Sequence, residues 1–445
     1  MKKILAGLSG GVDSAAAVIT LRDEGCAVDG ATMVLHPFAA REAEDARRTA
    51  QALGVGFYQF DWQAEFRRDV IAPFEAAYQQ GLTPNPCIFC NKAIKFGRFL
   101  DTALSLGYDS IATGHYARIT KEYGRWLVYT ARDKAKDQTY MLYQLTQEQL
   151  ARIILPMGEM TKADARALTA REGLSVSSKH DSQDICFIPD GDYLAFLQAD
   201  GVSLHPGHFI APDGMDLGAH KGMEAYTIGQ RRGLEVAYGS RIYVVDKEPG
   251  GNVRLGPDEA LYRRHVAVEQ VNFIPFDTLD APRRAQAKIR YSQQAAPCTL
   301  RPRDGGVEVI FDAPQRAVTP GQSAVFYDGP LLLGGGIIPG AWESLRKDTR
   351  HGSTCEKTPS GGQAAGLRHG GGRRGGSLRL LARSRDHRPR RDENDPHGVG
   401  RGDPAGLCGA GIRPQRSCPQ AGFGAGQQGG RHRQRLPRGA ENRHP

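Results

Sequence analysis

Short apolar runs alternate with amphipathic stretches along the first part of the chain. Lys3–Leu8 predicts a buried strand and Ala15–Arg22 a helix. Val28–Leu35 predicts the next strand, Arg41–Leu53 a helix, Val55–Phe60 a strand and Gln63–Gln80 a helix. A proline-rich loop follows, then a predicted helix over Lys92–Leu106 and a short strand over Ser110–Thr113. This rhythm predicts an α/β fold, a doubly wound parallel sheet with ligands beyond the carboxyl ends of its strands. Thr146–Gly173 again has a helical pattern. Past about residue 195 the texture turns to β. Arg241–Asp246, His265–Phe273, Ala285–Tyr291, Cys298–Arg303, Val307–Phe311 and Ser323–Tyr327 predict strands, with Pro249–Asn252 and Asp304–Gly306 as hairpin turns. The expected organisation is a nucleotide-binding catalytic domain over residues 1–195 and a small central domain over 196–262. A C-terminal β-barrel over 263–341 and a tail over 342–445 complete it.

Composition changes the picture of the tail. The chain has 445 residues and a net charge of +9. Residues 346–445 alone carry 21 basic and 8 acidic side chains, which leaves 37 basic and 41 acidic in residues 1–345. The whole basic excess therefore lies in the tail. The tail also holds 21 of the 55 glycines and one aromatic residue, Phe423. It cannot bury enough apolar surface to offset its ordering entropy and is expected to be disordered. No run of 18 apolar residues exists, so no membrane helix and no membrane partner are expected. The apolar run after Lys2-Lys3 stops at Ser9, too short for a signal-peptide core. Eight cysteines are too sparse for a disulfide framework, which points to a reducing, cytoplasmic setting.

Ser9-Gly10-Gly11-Val12-Asp13-Ser14 stands between the first strand and the first helix. Glycines there let backbone N–H groups approach an anion, and the helix N-terminus adds positive partial charge. Asp13 would repel phosphate unless Mg²⁺ bridges the two. No Gly-Lys-Ser/Thr follows, so this is not a Walker loop. The bland alternative is a strand–helix turn whose Ser or Asp caps the helix. The hexapeptide resembles the PP-loop of ATP pyrophosphatases, enzymes that adenylate a carbonyl oxygen and release pyrophosphate.

Thr83-Pro84-Asn85-Pro86-Cys87-Ile88-Phe89-Cys90-Asn91-Lys92 is a second constellation, and Cys186 follows in Asp184-Ile185-Cys186-Phe187-Ile188. Cys90 lies at or just before a predicted helix start, with Lys92 and Lys95 nearby, so a thiolate at neutral pH is expected. Cys26 and Cys298 read as small core residues. No second Cys-x-x-Cys or His pair completes a zinc site. Three cysteines suit an iron–sulfur cluster with one open iron. Two suit a persulfide that resolves into a disulfide.

These blocks together resemble the tRNA-specific 2-thiouridylase family. Ser9–Ser14, Asn85-Pro86, Cys90-Asn91, Ile94-Lys95-Phe96, Ala112–Tyr116, Lys136–Gln138, Asp184–Ile188, Thr227–Leu234, Tyr243–Lys247, Arg290-Tyr291, Val318–Tyr327 and Leu333–Ile338 carry the likeness from about residue 3 to residue 340. The resemblance implies an adenine nucleotide alpha hydrolase-like domain and ATP-dependent 2-thiolation of the tRNA wobble uridine. Gly7, Leu8, Ser9, Gly10, Gly11, Val12, Asp13, Ser14, Met33 and Gly114 would line the ATP site. Cys90 would be the nucleophile and Cys186 the persulfide carrier. Asn85, Pro86 and Cys87 would meet the target base. His115, Lys136, Asp137, Gln138, Arg290, Tyr291 and Gln322 would touch tRNA. A sulfur-donor protein is the implied partner. His115 has a competing reading as a packed core histidine, and Gln322 as a turn residue.

Two departures stand out. Cys87 occupies a position that is often Asp in the family, and the segment between Leu35 and Arg41 is short. The third cysteine favours a [4Fe–4S] cluster on Cys87, Cys90 and Cys186 over the persulfide–disulfide route. Two rival functions remain at this stage. An amidotransferase-type PP-loop synthetase leaves the cysteines idle. A non-catalytic RNA-binding iron–sulfur protein leaves the nucleotide loop idle. The tail, rich in Gly, Arg, Pro and His without periodicity, resembles the out-of-frame reading of a GC-rich gene. Truncation after residue 345 is expected to leave tRNA affinity and its salt dependence unchanged. Loss of both in a filter-binding salt series would instead make the tail an RNA-gathering arm.

Overall fold

A computed structural model describes residues 1–174, 185–188 and 190–340. Asp184 and the tail from residue 342, with Cys355, Cys408 and Cys418, lie outside these residues. The N-terminal part runs β1 (Lys3–Gly7), α1 (Val12–Asp23), β2 (Ala27–Val34), α2 (Ala40–Leu53), β3 (Phe57–Asp61), α3 (63–79), α4 (86–105) and β4 (Ser110–Ala112). A hairpin follows, β5 (Ala117–Glu122) and β6 (Arg125–Thr130), then β7 (Ile153–Ile154), α5 (Lys162–Arg171) and α6 (Tyr193–Ala199). The parallel sheet has the order β3-β2-β1-β4-β7, with β1 at its centre. Ile4, Leu5 and Ala6 of β1 are buried, because helices cover both faces. Ala15, Ala16 and Ala17 let α1 lie close to its neighbours, and all three are buried. The alanine-rich stripe of α2 (Ala43, Ala46, Ala50) seats it on the sheet, and Gly54 at φ +66° ends it.

Two expectations are corrected. The helix expected from Lys92 begins six residues earlier, at Pro86. Asn85 caps it by accepting from the Cys87 N–H at 3.1 Å, and a proline at the first helical position suits the fixed φ. The stretch Thr146–Gly173 is not one helical region. A single turn, Gln147–Leu150, is followed by β7, which adds the fifth parallel strand beside β4.

The central domain is a four-stranded sheet of β8 (Gly207–Ile210), β9 (Asp216–His220), β10 (Tyr243–Lys247) and β11 (Val253–Gly256). Phe209, Tyr226, Val244, Val253 and Leu255 form its core. The third part is a closed barrel of β12 (Tyr262–Phe273), β13 (Arg283–Lys288), β14 (Ala296–Arg303), β15 (Gly306–Arg316), β16 (Ser323–Asp328) and β17 (Leu331–Ile337). The ring runs β12-β15-β14-β13-β16-β17 and closes by pairing β17 with β12. Cys298 is fully buried in it.

The β5–β6 hairpin carried no clear strand signal, and it sets the architecture. It leaves the parallel sheet and extends the barrel sheet, with Tyr129 opposite Leu331 and the Thr130 N–H donating to the Pro330 carbonyl at 2.8 Å. One apolar cluster then spans both parts: Phe66, Phe99, Tyr140 and Tyr143 pack in the same core as Ile274, Val325, Tyr327 and Leu332.

Barrel closure brings Gly334 of β17 hard against β12. Gly334 has φ +145°, and a Cβ there would stand 2.1 Å from the Asn272 carbonyl oxygen. Gly334→Val is expected to lower stability by at least about 3 kcal/mol in urea denaturation, from strain plus clash. Gly329→Ala, at φ +56° with no atom within 4 Å, is the control and costs about 1 kcal/mol. Equal costs for the two would refute the closure argument.

Candidate active site

The chain leaves β1 into a glycine corner. Gly10 has φ +67°, and a Cβ there would stand 2.6 Å from the Asp45 Cβ, so α2 closes over a loop that only glycine fits. Gly11 is the N-cap of α1, and no side chain caps the helix. The capping alternative for this turn therefore fails. Ser14 Oγ accepts instead from the Ser9 N–H at 3.2 Å and donates to the Gly11 carbonyl at 3.0 Å. The positive end of α1 thus opens at the carboxyl edge of the sheet, where an anion is stabilised.

The other expected nucleotide residues gather there. A Cβ on Gly114 would stand 2.9 Å from the Asp13 carbonyl carbon and from the Ser14 nitrogen, so the β4 end lies directly against the loop. A Cβ on Gly7 would stand 3.7 Å from Met33 Cε. Leu8 and Val12 are buried and anchor the loop.

Two residues missed by sequence reasoning meet Asp13. Lys162 Nζ donates to both Asp13 carboxylate oxygens at 2.9 and 2.8 Å, and Tyr116 Oη donates at 2.7 Å. Lys162 opens α5, whose Thr161–Asp164 capping box fixes where the helix starts. The cap is legible in the sequence, but a partner 149 residues away is not.

The sulfur site lies on α4. Cys90 is one turn inside the helix and buried in the cluster that includes Ile88, Ile94 and Phe187. Burial pushes its thiol up to about 11. Cys186 reaches the surface, yet burial and the neighbouring Cys90 push it up to about 12. Burial also raises Cys87. The neutral-pH thiolate expected from a helix start is therefore overturned, because desolvation outweighs the local positive charge. That charge comes from Lys95, which acts on all three thiols and on His115. Lys92 lines a separate surface recess with Asp69 and Asp101. The three sulfurs are free thiols, and among the described residues no three His, Cys, Asp or Glu side chains are placed to hold one metal ion.

The expected tRNA residues divide. Tyr291 is 41% exposed, packs edge-on against Tyr140 at 6.0 Å and interacts electrostatically with Lys136, Asp137 and Cys87. Lys288 stands over its ring at 5.9 Å. The barrel therefore holds a part-exposed aromatic ring within electrostatic reach of Cys87. Asp137 and Gln138 knit their own loop: Asp137 accepts from Ala131 N at 2.9 Å, and Gln138 accepts from Tyr116 N at 3.0 Å. His115 is buried, stacks near Phe96 and bonds Thr113 Oγ1 at 2.8 Å, with its pKa held well below the usual histidine range by burial. Its placement matches the packed-histidine reading. Arg290 Nη2 donates to the Ile228 and Ala317 carbonyls and to Thr319 Oγ1, at 3.1, 2.8 and 2.6 Å. It braces the barrel against the central domain. Gln322 Nε2 donates to the Thr83 carbonyl at 2.7 Å, at the root of the cysteine loop. Asn85, besides capping α4, points its amide at Met141 Sδ at 3.8 Å.

A glycine corner at the sheet's carboxyl edge, joined through Gly114-His115 to a cysteine site, defines an ATP-using enzyme of the PP-loop class. The comparisons narrow this. Residues 2–190 match the family model described as a tRNA methyl transferase HUP domain. Residues 195–253 match the tRNA methyl transferase PRC-barrel domain, and residues 263–338 the aminomethyltransferase β-barrel domain. The tRNA-specific 2-thiouridylase MnmA 2 of Clostridium tetani is 46% identical over 76% of this chain and 98% of its own length. Those of Acetivibrio thermocellus and Clostridium botulinum are each 45% identical, over 76% of this chain and 99% of their own lengths. The chain belongs to the tRNA-specific 2-thiouridylase family.

The buried thiols give a pH prediction. Thiolate forms only as pH approaches the raised pKa, so alkylation of Cys90 by iodoacetamide is expected to be slow at pH 7. It should still be rising at pH 9, on the way to the pKa of about 11. Lys95→Met removes a charge that favours thiolate and is expected to slow alkylation at pH 8 several-fold. Mass spectrometry checks both, and full-rate alkylation of Cys90 at pH 7 would contradict the burial argument.

Proposed function

We propose that this protein uses ATP to activate the C2 oxygen of a tRNA wobble uridine and replaces that oxygen with sulfur. The proposal rests on three parts of the described structure. These are the uncapped Ser9–Ser14 corner, Cys90 and Cys186 within electrostatic reach of Lys95, and the part-exposed Tyr291 of the barrel within electrostatic reach of Cys87. The target base must leave its stack to be reached, and Tyr291 offers a stacking surface.

ATP would lie on Gly7–Ser14 with Met33 and Gly114 beside it. Uridine O2 attacks the α-phosphorus and pyrophosphate leaves. The α1 terminus and Lys162 offset the charge on the departing group. Asp13 is the carboxylate that would hold a Mg²⁺ brought in with ATP, and the ion would supply positive charge at the phosphates. The adenylated oxygen is then a good leaving group. A sulfur-donor protein loads Cys186 as a persulfide, whose terminal sulfur attacks C2, and AMP leaves. Cys90 gives up its proton, attacks the Cys186 sulfur and breaks the S–S bond. The sulfur stays on C2 as the thione, and the Cys90–Cys186 disulfide is reduced by an external dithiol. Lys95 is the charge that stabilises the Cys90 thiolate at that moment. A reducing cytoplasm suits this cycle, and no helix among the described residues is long and apolar enough to cross a membrane.

A [4Fe–4S] cluster on Cys87, Cys90 and Cys186 is the second reading. The shared electrostatic neighbourhood of the three sulfurs favours it, but their placement is not that of a metal-holding set. Iron and sulfide analysis after anaerobic purification separates the two. About four iron atoms per chain would support the cluster, and an iron-free active enzyme the persulfide.

Asp13→Ala is expected to abolish tRNA-dependent pyrophosphate release. Cys90→Ser and Cys186→Ser should retain release and lose thiolation by at least about 100-fold. Thiolation at the wild-type rate in Asp13→Ala would overturn the assignment of the loop.

A further inference from the structure

We infer that Phe187 is the positioning residue that holds Cys186 in register with Cys90, through an aromatic socket formed by Phe66, Phe74 and Phe196. The inference rests on the Cys90–Cys186 sulfur transfer proposed above and names what sets its geometry. Residues 185–188 form a β-turn, closed by the Ile188 N–H donating to the Ile185 carbonyl at 2.9 Å. Cys186 and Phe187 are its two central residues, and they differ in burial. Cys186 is exposed, whereas Phe187 is only 3% exposed. The turn thus presents the thiol outward and drives the ring inward.

Phe187 meets three rings edge-on. Its centroid lies 5.5 Å from that of Phe66, 5.6 Å from Phe74 and 5.2 Å from Phe196, at interplanar angles of 76°, 88° and 63°. Edge-to-face pairs at these separations are favourable beyond the area they bury. Three of them on one side chain fix its direction as well as its depth. Phe66 and Phe74 belong to α3, and the same apolar cluster holds Cys90 of α4. The socket and the second thiol are therefore parts of one packed body. Phe196 belongs to α6, which is held at both ends. Tyr193 stacks on Tyr78 of α3 at 4.9 Å, and Asp200, just past the helix, pairs with Arg67 of α3.

The turn passes this placement on to the sulfur. Phe187 follows Cys186 directly, so the thiol moves only as far as the closed turn allows. A disulfide requires Cα atoms about 4.4–6.8 Å apart and a defined dihedral. Attack of Cys90 on Cys186 passes through that geometry, and a misplacement of about 1 Å costs about 100-fold in rate. An exposed cysteine on an unanchored turn would sample many positions, and its capture by Cys90 would carry that entropy. Packing of the Phe187 ring removes the cost before the reaction begins. The anchor also leaves Cys186 open to the partner that loads it, because the ring and not the thiol fills the socket.

The test equilibrates the full chain with glutathione redox buffers and reads the Cys90–Cys186 bond by mass spectrometry. The two thiols give two electrons and two protons to one oxidised glutathione, which becomes two reduced molecules. The equilibrium constant therefore reports the effective concentration of one thiol at the other. Phe187→Ala is expected to lower that constant by at least about tenfold, and Phe187→Leu, which refills most of the socket, to keep it within about threefold of wild type. Phe311→Leu in the barrel core is the stability control. It lowers Tm and should leave the constant unchanged, which an ordinary core role for Phe187 would also predict for Phe187→Ala. Release of pyrophosphate with tRNA should survive in Phe187→Ala while thiolation falls. Should that variant fail to fold, Phe196→Ala, at a half-buried wall of the socket, is expected to lower the constant about threefold. A wild-type constant in Phe187→Ala, or in Phe196→Ala where it stands in, overturns the proposal and leaves the sulfur-transfer reading intact. A wild-type protein that forms no Cys90–Cys186 bond at any glutathione ratio overturns both.

Discussion

Two hydrogen bonds hold the sulfur chemistry to the barrel. The Thr83 N–H donates to the Pro320 carbonyl at 2.9 Å, and Gln322 returns a bond to the Thr83 carbonyl at 2.7 Å. Gly321, at φ +88°, gives the approach its room, since a Cβ there would stand 2.8 Å from the Thr83 nitrogen. Each bond contributes only about 1 kcal/mol. Their consequence is positional. Thr83 lies just before Asn85, and Asn85 caps the helix that carries Cys87 and Cys90. The barrel therefore helps to decide where α4 begins. The bonds from Tyr140 and Tyr143 to Ser323, at 2.8 and 3.0 Å, tie the same two parts together from below.

Desolvation governs the reactivity of the sulfurs. Helix position and a lysine would each favour a thiolate, yet the apolar cluster around Cys90 outweighs both. A thiol that stays protonated at rest is protected from stray oxidation and alkylation. Lys95 then has a definite task. It is too weak to ionise the thiols at rest, but among the described residues it is the one cation that acts on all three of them.

The PP-loop was legible because its signal is local. Two glycines and two serines between an apolar strand and an alanine-rich helix fix the corner, and the structure adds only what they touch. The start of α4 was misplaced because the proline-rich approach reads as a loop. In the folded chain Pro86 serves as the first helical residue, once Asn85 supplies the cap. The hairpin β5–β6 was missed because its strands are half-polar and make sense only against the barrel edge that they join. Arg290 illustrates a different limit. A sequence block marks the residue but not its direction, and here the guanidinium turns inward to three acceptors while Tyr291 beside it stays open.

The sequence by itself determined the order of the three domains, the anion corner, and the blocks that hold Cys87, Cys90 and Cys186. Each is written in residues close together in the chain, where local propensity and short-range geometry decide. Only the tertiary structure decided the partners of those groups. Lys162 on Asp13, Lys95 near the thiols and Tyr291 within electrostatic reach of Cys87 all follow from how distant segments pack. Charge and burial act through space over a few ångströms, and the spacing of residues along a chain does not encode those distances.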